Sequence, residues 1–283
     1  MNDILRQYQG FLATPSLFDD DWVVGVPPFE TKASFHLNKT IEIPERLRLG
    51  QRVEYFFSEY IDRSERYSLL AKNIQIKRKK ATIGELDFLI KDLERRVNLH
   101  IELICKFYLF DPTFSNEELK CWIGPNRKDL LIEKVDKLKK KQLPLLYAPE
   151  TQQHLQGLDL VTFREKKASK AIQLENFEQS ICFKAQLFVP KEDLHRSFEE
   201  INKECIAGFY LNQKHLNAPF YKKCRFYLPK KYDWVSAPSL AYPFQTLEEV
   251  LPKIDHYIQN RYAPLCWSQL PDGTLERFFI VWW

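Results

Sequence analysis

Three apolar runs follow one another at residues 69–76, 82–90 and 97–110. Only short charged stretches lie between them, Lys77-Arg78-Lys79-Lys80 before the second and residues 92–96 before the third. Runs of this length and composition, joined so briefly, predict an antiparallel meander of three strands. No other feature narrows the fold so far. A sheet that begins this way must cover its apolar faces, and the flanking sequence supplies helices to do it. Leu49, Val53, Phe56, Phe57, Tyr60 and Ile61 recur at helical spacing and predict a helix over 50–62. A short strand at 121–123 meets the turn signal Gly124-Pro125-Asn126. Asn126 is then placed as the N-cap of a second helix running to Lys141. Its apolar face is Leu130, Leu131, Val135 and Leu138, and Pro144 and Pro149 end it. Further strands are predicted at 181–189, 208–211, 224–228 and 278–283, a short helix at 197–205 and a longer one at 247–261. Residues 150–180 are polar and lack a clear period. The class is α/β, with a mixed α+β sheet. It comprises an N-terminal arm of short irregular elements (1–45), a core (46–190) and an aromatic-rich strand extension (191–283) packed on that core as one globular unit. No Gly/Ser-rich linker and no internal repeat divides it.

Composition narrows the function classes. Apolar residues make up 45% of the 283 residues and charged residues 28%, which is enough to bury a core and excludes general disorder. Only 8 residues are glycine, and neither G-x-G-x-x-G nor G-x-x-x-x-G-K-[ST] occurs. That argues against a dinucleotide-binding Rossmann enzyme and against a P-loop NTPase. No run reaches the roughly 18 consecutive apolar residues of a membrane span, so no membrane association is expected. The first residues show no charged segment leading into an apolar stretch, so no signal peptide is expected. The 6 cysteines lie far apart, with no C-x-x-C and no Cys/His zinc spacing, as expected of buried thiols in a reducing cytoplasm. Taken whole, a net charge of +4 is too small to imply a polyanionic partner.

The chemistry sits in the meander. In Gly84-Glu85-Leu86-Asp87-Phe88, strand alternation puts Glu85 and Asp87 on one face. In Ile101-Glu102-Leu103-Ile104-Cys105-Lys106 it puts Glu102 and Lys106 on one face. Carboxylates inside such apolar runs are costly unless they are paired or bind a cation. Only 14 residues separate Asp87 from Glu102, so a turn can fold one strand onto the next and bring the two carboxylates to about 5 Å. Such a pair with an open side suits Mg²⁺, and a lysine beside it could orient an attacking water.

Helix, strand, Gly-Glu-Leu-Asp strand, turn, then Glu and Lys on a third strand resembles the PD-(D/E)xK phosphodiesterase superfamily, the restriction-endonuclease-like fold with its αβββαβ core. The resemblance implies one metal-binding carboxylate at Asp87, a second at Glu102, and a helical third at Glu54, which follows Gly50. More narrowly, several stretches are similar to the bacterial domain-of-unknown-function family numbered 1853. They are Gly84-Glu85-Leu86-Asp87-Phe88-Leu89, residues 100–109, residues 122–126 with Asp129, and Gln142-Leu143-Pro144-Leu145. The similarity runs from Gly10-Phe11-Leu12 to about residue 230 and brings no activity with it. The superfamily lysine stands two residues after the Glu, where this chain has Ile104. The lysine comes at Lys106, a displacement of roughly 7 Å on an extended strand. Either the strand bulges, or a migrated basic residue substitutes, or the site no longer cuts. Lys106 is the first candidate, with Lys72 and Gln75 behind it.

Several residues also have ordinary readings. Glu85 can pair with Lys91 or Arg95, Glu54 can be a solvated helix side chain, and Lys106 can pair with Glu102. Asp129 is expected to complement a helix N-terminus. His100 is expected to be satisfied in the core or at its rim, turned away from Glu102. Trp267, Trp282 and Trp283 are expected in the core or an interface. The charge, however, is uneven. Residues 72–80 hold Lys72, Lys77, Arg78, Lys79 and Lys80 and no acid, while residues 120–141 hold eight basic and three acidic residues, Arg127 and Lys128 among them. Each segment carries +5, so the rest of the chain is net acidic. Both flank the carboxylates in sequence and could neutralise phosphates without reading bases.

The expectation is a cytoplasmic phosphodiesterase dependent on Mg²⁺ or Mn²⁺ and acting on nucleic acid, DNA before RNA. Asp87, Glu102 and Lys106 would be catalytic, and Glu54, Asp87 and Glu102 would hold the metal. Lys77, Arg78, Lys79, Lys80, Arg127 and Lys128 would meet the nucleic acid. Two alternatives stand beside it. One is an inactive nuclease-like fold kept as a binding module, which the displaced lysine favours. The other is a core that binds a protein partner through its aromatic C-terminal part.

Overall fold

The computed structural model describes residues 3–32, 41–156, 177–238 and 242–283. The meander forms as its pattern requires. Strands β1 (Tyr67–Arg78), β2 (Ala81–Asp92) and β3 (Val97–Phe110) are antiparallel, with Lys72 opposite Phe88 and Phe88 opposite Ile101. Two helices precede them, α1 (Asp3–Ala13) and α2 (Leu49–Arg63). The two-residue strand β4 (Trp122–Ile123) pairs with the end of β3. A helical passage follows: α3 (Leu131–Lys137), a π turn (Leu138–Gln142), α4 (Leu143–Leu145) and α5 (Pro149–Gln156). It leads to β5 (Phe177–Pro190), which lies parallel to β3 along its length. The C-terminal part adds β6 (Ile206–Asn212), β7 (Arg225–Tyr227), α6 (Leu247–Gln259), β8 (Leu265–Gln269) and β9 (Leu275–Val281). All the strands join one mixed sheet in the order β1-β2-β3-β5-β6-β9-β8-β7, with β4 off that path beside β3. The aromatic strands thus extend the sheet the meander starts.

Alternation on β3 decides what each face covers. Ile101, Phe107 and Leu109 pack toward α1 and α2, with Phe11, Phe56, Phe57 and Trp234. The Phe57 ring meets Phe88 edge-on, centroids 4.7 Å apart. Ile104, Tyr108 and Phe110 pack on the other face against Leu131, Val135 and Leu138. On that face α6 covers β6 and β9 through Val250 and Ile254, and Leu145 and Leu155 cover Ile74, Ile76, Leu86 and Leu89. Helices therefore lie on both faces, which is why β5 is buried on both faces from Ser180 to Val189.

Several local expectations change. The helix assigned to 126–141 begins only at Leu131. Asn126 does not cap it, because its side-chain oxygen accepts the Ala263 N–H at 2.8 Å. Residues 124–130 form a tight loop instead. The Gly124 N–H donates to the Asp129 carbonyl at 2.8 Å, and a Cβ on residue 124 would fall 2.0 Å from Asp129 Oδ1, so any other residue would have to push the Asp129 side chain aside. Pro149 opens α5 rather than ending a helix, since the missing N–H costs nothing at the first position. Of the helix expected at 197–205, only a 3₁₀ turn at Lys203–Cys205 forms. Helix α1 and strand β8 were not anticipated. Within the unreadable stretch 150–180, α5 ends at Gln156 and β5 starts at Phe177; residues 157–176 lie outside the described residues, as do 33–40 of the N-terminal arm. All six cysteines are free thiols. Among the described residues no helix is long and apolar enough to cross a membrane.

Candidate functional site

Strands β2 and β3 pair only as far as Phe88 opposite Ile101. Asp87 is the next residue, and the same register carried one step on sets it across from Glu102. Its Oδ2 accepts the Leu103 N–H at 2.9 Å, so a side chain takes the place of a ladder carbonyl. On the other flank of β2, Asn73 lies between the pairs Lys72 with Phe88 and Ile74 with Leu86, in left-handed backbone at φ 54°. Asn adopts that conformation more readily than most residues. The sheet is thus split at Asp87.

Glu102 has no exposed surface, yet both of its oxygens have partners. Oε2 accepts from Gln142 Nε2. Oε1 lies 3.1 Å from His100 Nε2. The proton on that imidazole can be placed by elimination. Gln179 Nε2 donates to the Leu143 carbonyl at 2.8 Å and lies 2.9 Å from His100 Nδ1. An amide nitrogen can only donate, so Nδ1 accepts and Nε2–H donates to Glu102. From the other end, Lys134 Nζ donates to Gln142 Oε1 at 2.8 Å. The result is one chain of hydrogen bonds, from Gln179 through His100 to Glu102 and from Lys134 through Gln142 to the same carboxylate. Gln142 closes the π turn, in which the Leu143 N–H reaches back to the Leu138 carbonyl. Such turns re-aim side chains and occur often at functional sites.

Charges within this network act on one another. Burial pushes the Asp87 carboxyl up, and the charge of Glu102 pushes it further, to about 7, against the Leu103 N–H and Lys134. Burial draws the Lys134 amine below its ordinary range, and Lys137 adds to this, while Glu102 and Asp87 oppose it. Asp87, Glu102 and Lys134 therefore share one electrostatic neighbourhood. Among the described residues, no group of three or more His, Cys, Asp or Glu side chains is arranged to hold a metal ion.

The other candidate residues fall in several places. Lys106 Nζ pairs with Asp129 Oδ2 at 2.9 Å, not with Glu102. Asp129 lies ahead of α3 and turns to that lysine rather than to the helix end. Ile104, at the usual lysine position, is in the core. Glu54 Oε2 accepts from Asn73 Nδ2 at 3.0 Å, one residue pair away from Asp87 across β1. Lys72 donates to Ser58 Oγ at 2.9 Å, toward α2, and Gln75 is exposed on β1 opposite Glu85. Glu85 is near enough for its charge to raise Asp87, and Arg95 pairs with Glu178 instead of with it. His100 faces Glu102, contrary to expectation, because residues two apart on a strand share a face. Lys77, Arg78, Lys79 and Lys80 are exposed at the β1–β2 hairpin tip, with Arg78 tied to Glu150 at 2.6 Å. Lys128 is exposed, while Arg127 binds Asp111 at 3.0 Å and stacks 4.6 Å from the Trp283 ring centroid.

Lys134, Gln142 and Gln179 were missed. A signal for the first two was present. Residues 131, 134, 135, 138 and 142 fall on one helical stripe. A lysine and a glutamine among the leucines of a core-facing stripe need buried partners. Gln179 carries no comparable mark.

Fold and site together define a mixed α/β protein in which buried Glu102 and half-buried Asp87 and Lys134 gather where the β2–β3 pairing ends. The family model described as Domain of unknown function (DUF1853) matches residues 28–270, and the chain belongs to that family. No curated protein and no solved structure matches it.

Proposed function

We propose that this protein is a metal-dependent phosphodiesterase acting on nucleic acid, with Asp87 and Glu102 as the metal-holding pair and Lys134 in the lysine's role. The observation that carries the reading is that Glu102 of β3 is tied through Gln142 to Lys134 of α3, with Asp87 of β2 close enough to feel the charges of both. The element order α2-β1-β2-β3-α3-β5 supports it, being the order of the αβββαβ core of PD-(D/E)xK enzymes. In this reading the migrated basic residue comes from α3, and Lys106 serves at the rim with Asp129.

The donor set fits a hard divalent cation. Asp87 Oδ1 has no hydrogen-bond partner among the described residues, and Glu102 would give a lone pair beside those already taken by His100 and Gln142. A carboxyl raised to about 7 by burial and a second carboxylate is in a setting short of positive charge. Mg²⁺ or Mn²⁺ held by one or two carboxylates suits it. Bound there, the ion supplies charge neutralisation at the phosphate and a lower pKa for the attacking water. The chain's residues do the rest. His100 and Gln179 fix the Glu102 carboxylate. Gln142 ties it to Lys134, whose lowered pKa lets the amine give and take a proton nearer neutrality. Exposed lysines 77, 79, 80, 128 and 139–141 supply phosphate contacts that do not read sequence.

The test is cleavage of single- and double-stranded substrates with Mg²⁺ or Mn²⁺, beside Asp87→Asn, Glu102→Gln and Lys134→Met. Loss of activity in all three is expected; activity that survives the first two overturns the mechanism. A second reading, a nuclease-like fold kept for binding, is favoured by the full burial of Glu102 and by Ile104 in the core. It predicts salt-dependent binding with neither turnover nor metal dependence.

A further inference from the structure

A cleft of about 500 Å³ lies on the α1 side of the sheet, lined by Arg6, Thr14, Gln186, Ser236 and Arg277 among others. Arg277 is its unusual member. Its Nη2 donates to Gln186 Oε1 and to the Trp234 carbonyl, both neutral acceptors. Its Nε is buried without a partner, and Nη1 makes no hydrogen bond to the described residues. No described carboxylate forms an ion pair with it. The rings of Phe188 and Trp267 lie 5.4 Å from the guanidinium on either count, which restricts it. Burial alone, with no opposing charge, draws its pKa well down.

A cation kept mostly from water without a counter-charge among the described residues is expensive. Two rings and two neutral acceptors brace this one, and its Nε and Nη1 are left without hydrogen-bond partners among the described residues, beside a cleft. Arg6 brings a second guanidinium to the same cleft. Its Nε is likewise buried and unpartnered, although its Nη2 is engaged with Asp3, Asp233 and Tyr242 and its Nη1 donates to the Ala237 carbonyl at 3.2 Å. Among the described residues Glu204 is the one acidic side chain lining the cleft, and it is exposed.

We propose that this cleft binds a phosphate group, with Arg277 as the anchoring cation. Phosphate is favoured over a carboxylate because two guanidiniums share the cleft and phosphate carries up to two charges with several acceptor oxygens. A cleft of this volume admits a free phosphate ion and has room for a small phosphorylated molecule such as a mononucleotide, so either can be the group's source. The site is separate from the Asp87–Glu102 network: Arg277 shares the sheet face of Phe279 and α1, whereas α3 covers the other.

The experiment uses the full chain. Calorimetric titration and thermal unfolding are run with inorganic phosphate, adenosine monophosphate, acetate and chloride at equal ionic strength. One phosphate or one mononucleotide per chain is expected to bind and raise Tm, with acetate and chloride inert. Tighter phosphate identifies the free ion as the source, tighter mononucleotide the phosphorylated molecule. Affinity is expected to fall at least tenfold in Arg277→Gln. It should fall similarly in Ala207→Leu, which narrows the cleft while leaving the guanidinium in place and decides the matter if the first variant does not fold. Asp87→Asn should bind as the wild type does. Absence of binding, equal binding of acetate, unchanged affinity in Ala207→Leu, or loss of binding in Asp87→Asn alone overturns the proposal.

Discussion

Replacing Asp87 by Asn should make the protein more stable at alkaline pH and leave it unchanged in acid. The carboxyl sits near its ordinary 3.8 in the unfolded chain and at about 7 in the fold, because burial and Glu102 both disfavour its charge. A raised folded-state pKa means the fold holds the proton more tightly than the unfolded chain does. The stability tied to that proton is complete below pH ~4, is lost as pH rises toward 7, and is gone above it. About three pKa units at about 1.36 kcal/mol each give a ceiling of ~4 kcal/mol. Asn carries no charge at any pH, and its side-chain oxygen still accepts the Leu103 N–H. It does forgo the attraction between Asp87 and Lys134. The net gain expected at pH 8 is therefore roughly 2–4 kcal/mol, shrinking to nothing by pH 4. Urea unfolding followed by tryptophan fluorescence, in EDTA from pH 4 to 8, reads it directly. Adding Mg²⁺ at pH 8 should then stabilise the wild type and not the variant, since ligand binding to the native state alone raises stability. A variant no more stable than wild type at pH 8, or a difference independent of pH, would refute the placement of Asp87 beside Glu102.

Other perturbations have equally definite outcomes. Gln142→Ala removes the link between Lys134 and Glu102 and should cost about 1–3 kcal/mol in urea unfolding, since both groups lose a buried partner. Arg66→Ala strips the fully buried Asp92 of a guanidinium that reaches it at 2.7 Å. Arg66 is itself partly exposed, so the expected loss in Tm-derived stability is about 2–3 kcal/mol, at or below the low end for a buried pair. Changing Lys77, Lys79 and Lys80 to Gln together should weaken nucleic-acid binding evenly across sequences. The slope of log affinity against log salt should fall by roughly 0.9 for each lysine that meets a phosphate. An unchanged slope would remove the hairpin tip from the interface.

The local periodicities read correctly because each is set within a few residues. Alternation of Ile101, Leu103 and Leu109 with Glu102, Ile104 and Lys106 defines β3 and its two faces whatever packs on them. The antiparallel register, carried past Phe88 and Ile101, puts Asp87 opposite Glu102. The loop at 124–130 was misread because Asn126 has the chemistry of an N-cap but spends its side chain on Ala263, a residue 137 positions away. No local rule can report that.

What the sequence by itself determined was the meander, the helix before it, and a pair of carboxylates that need a partner. What only the tertiary structure decided was which partners they have. Lys106 is on the right strand but goes to Asp129, while Lys134 arrives from a helix that the sequence connects through a loop and that packing docks on the sheet. Strand parity is a covalent property of neighbouring residues. The direction and depth at which α3 and its π turn meet β3 depend on how Leu131, Val135 and Leu138 pack against Ile104 and Tyr108, which is settled only when the core closes.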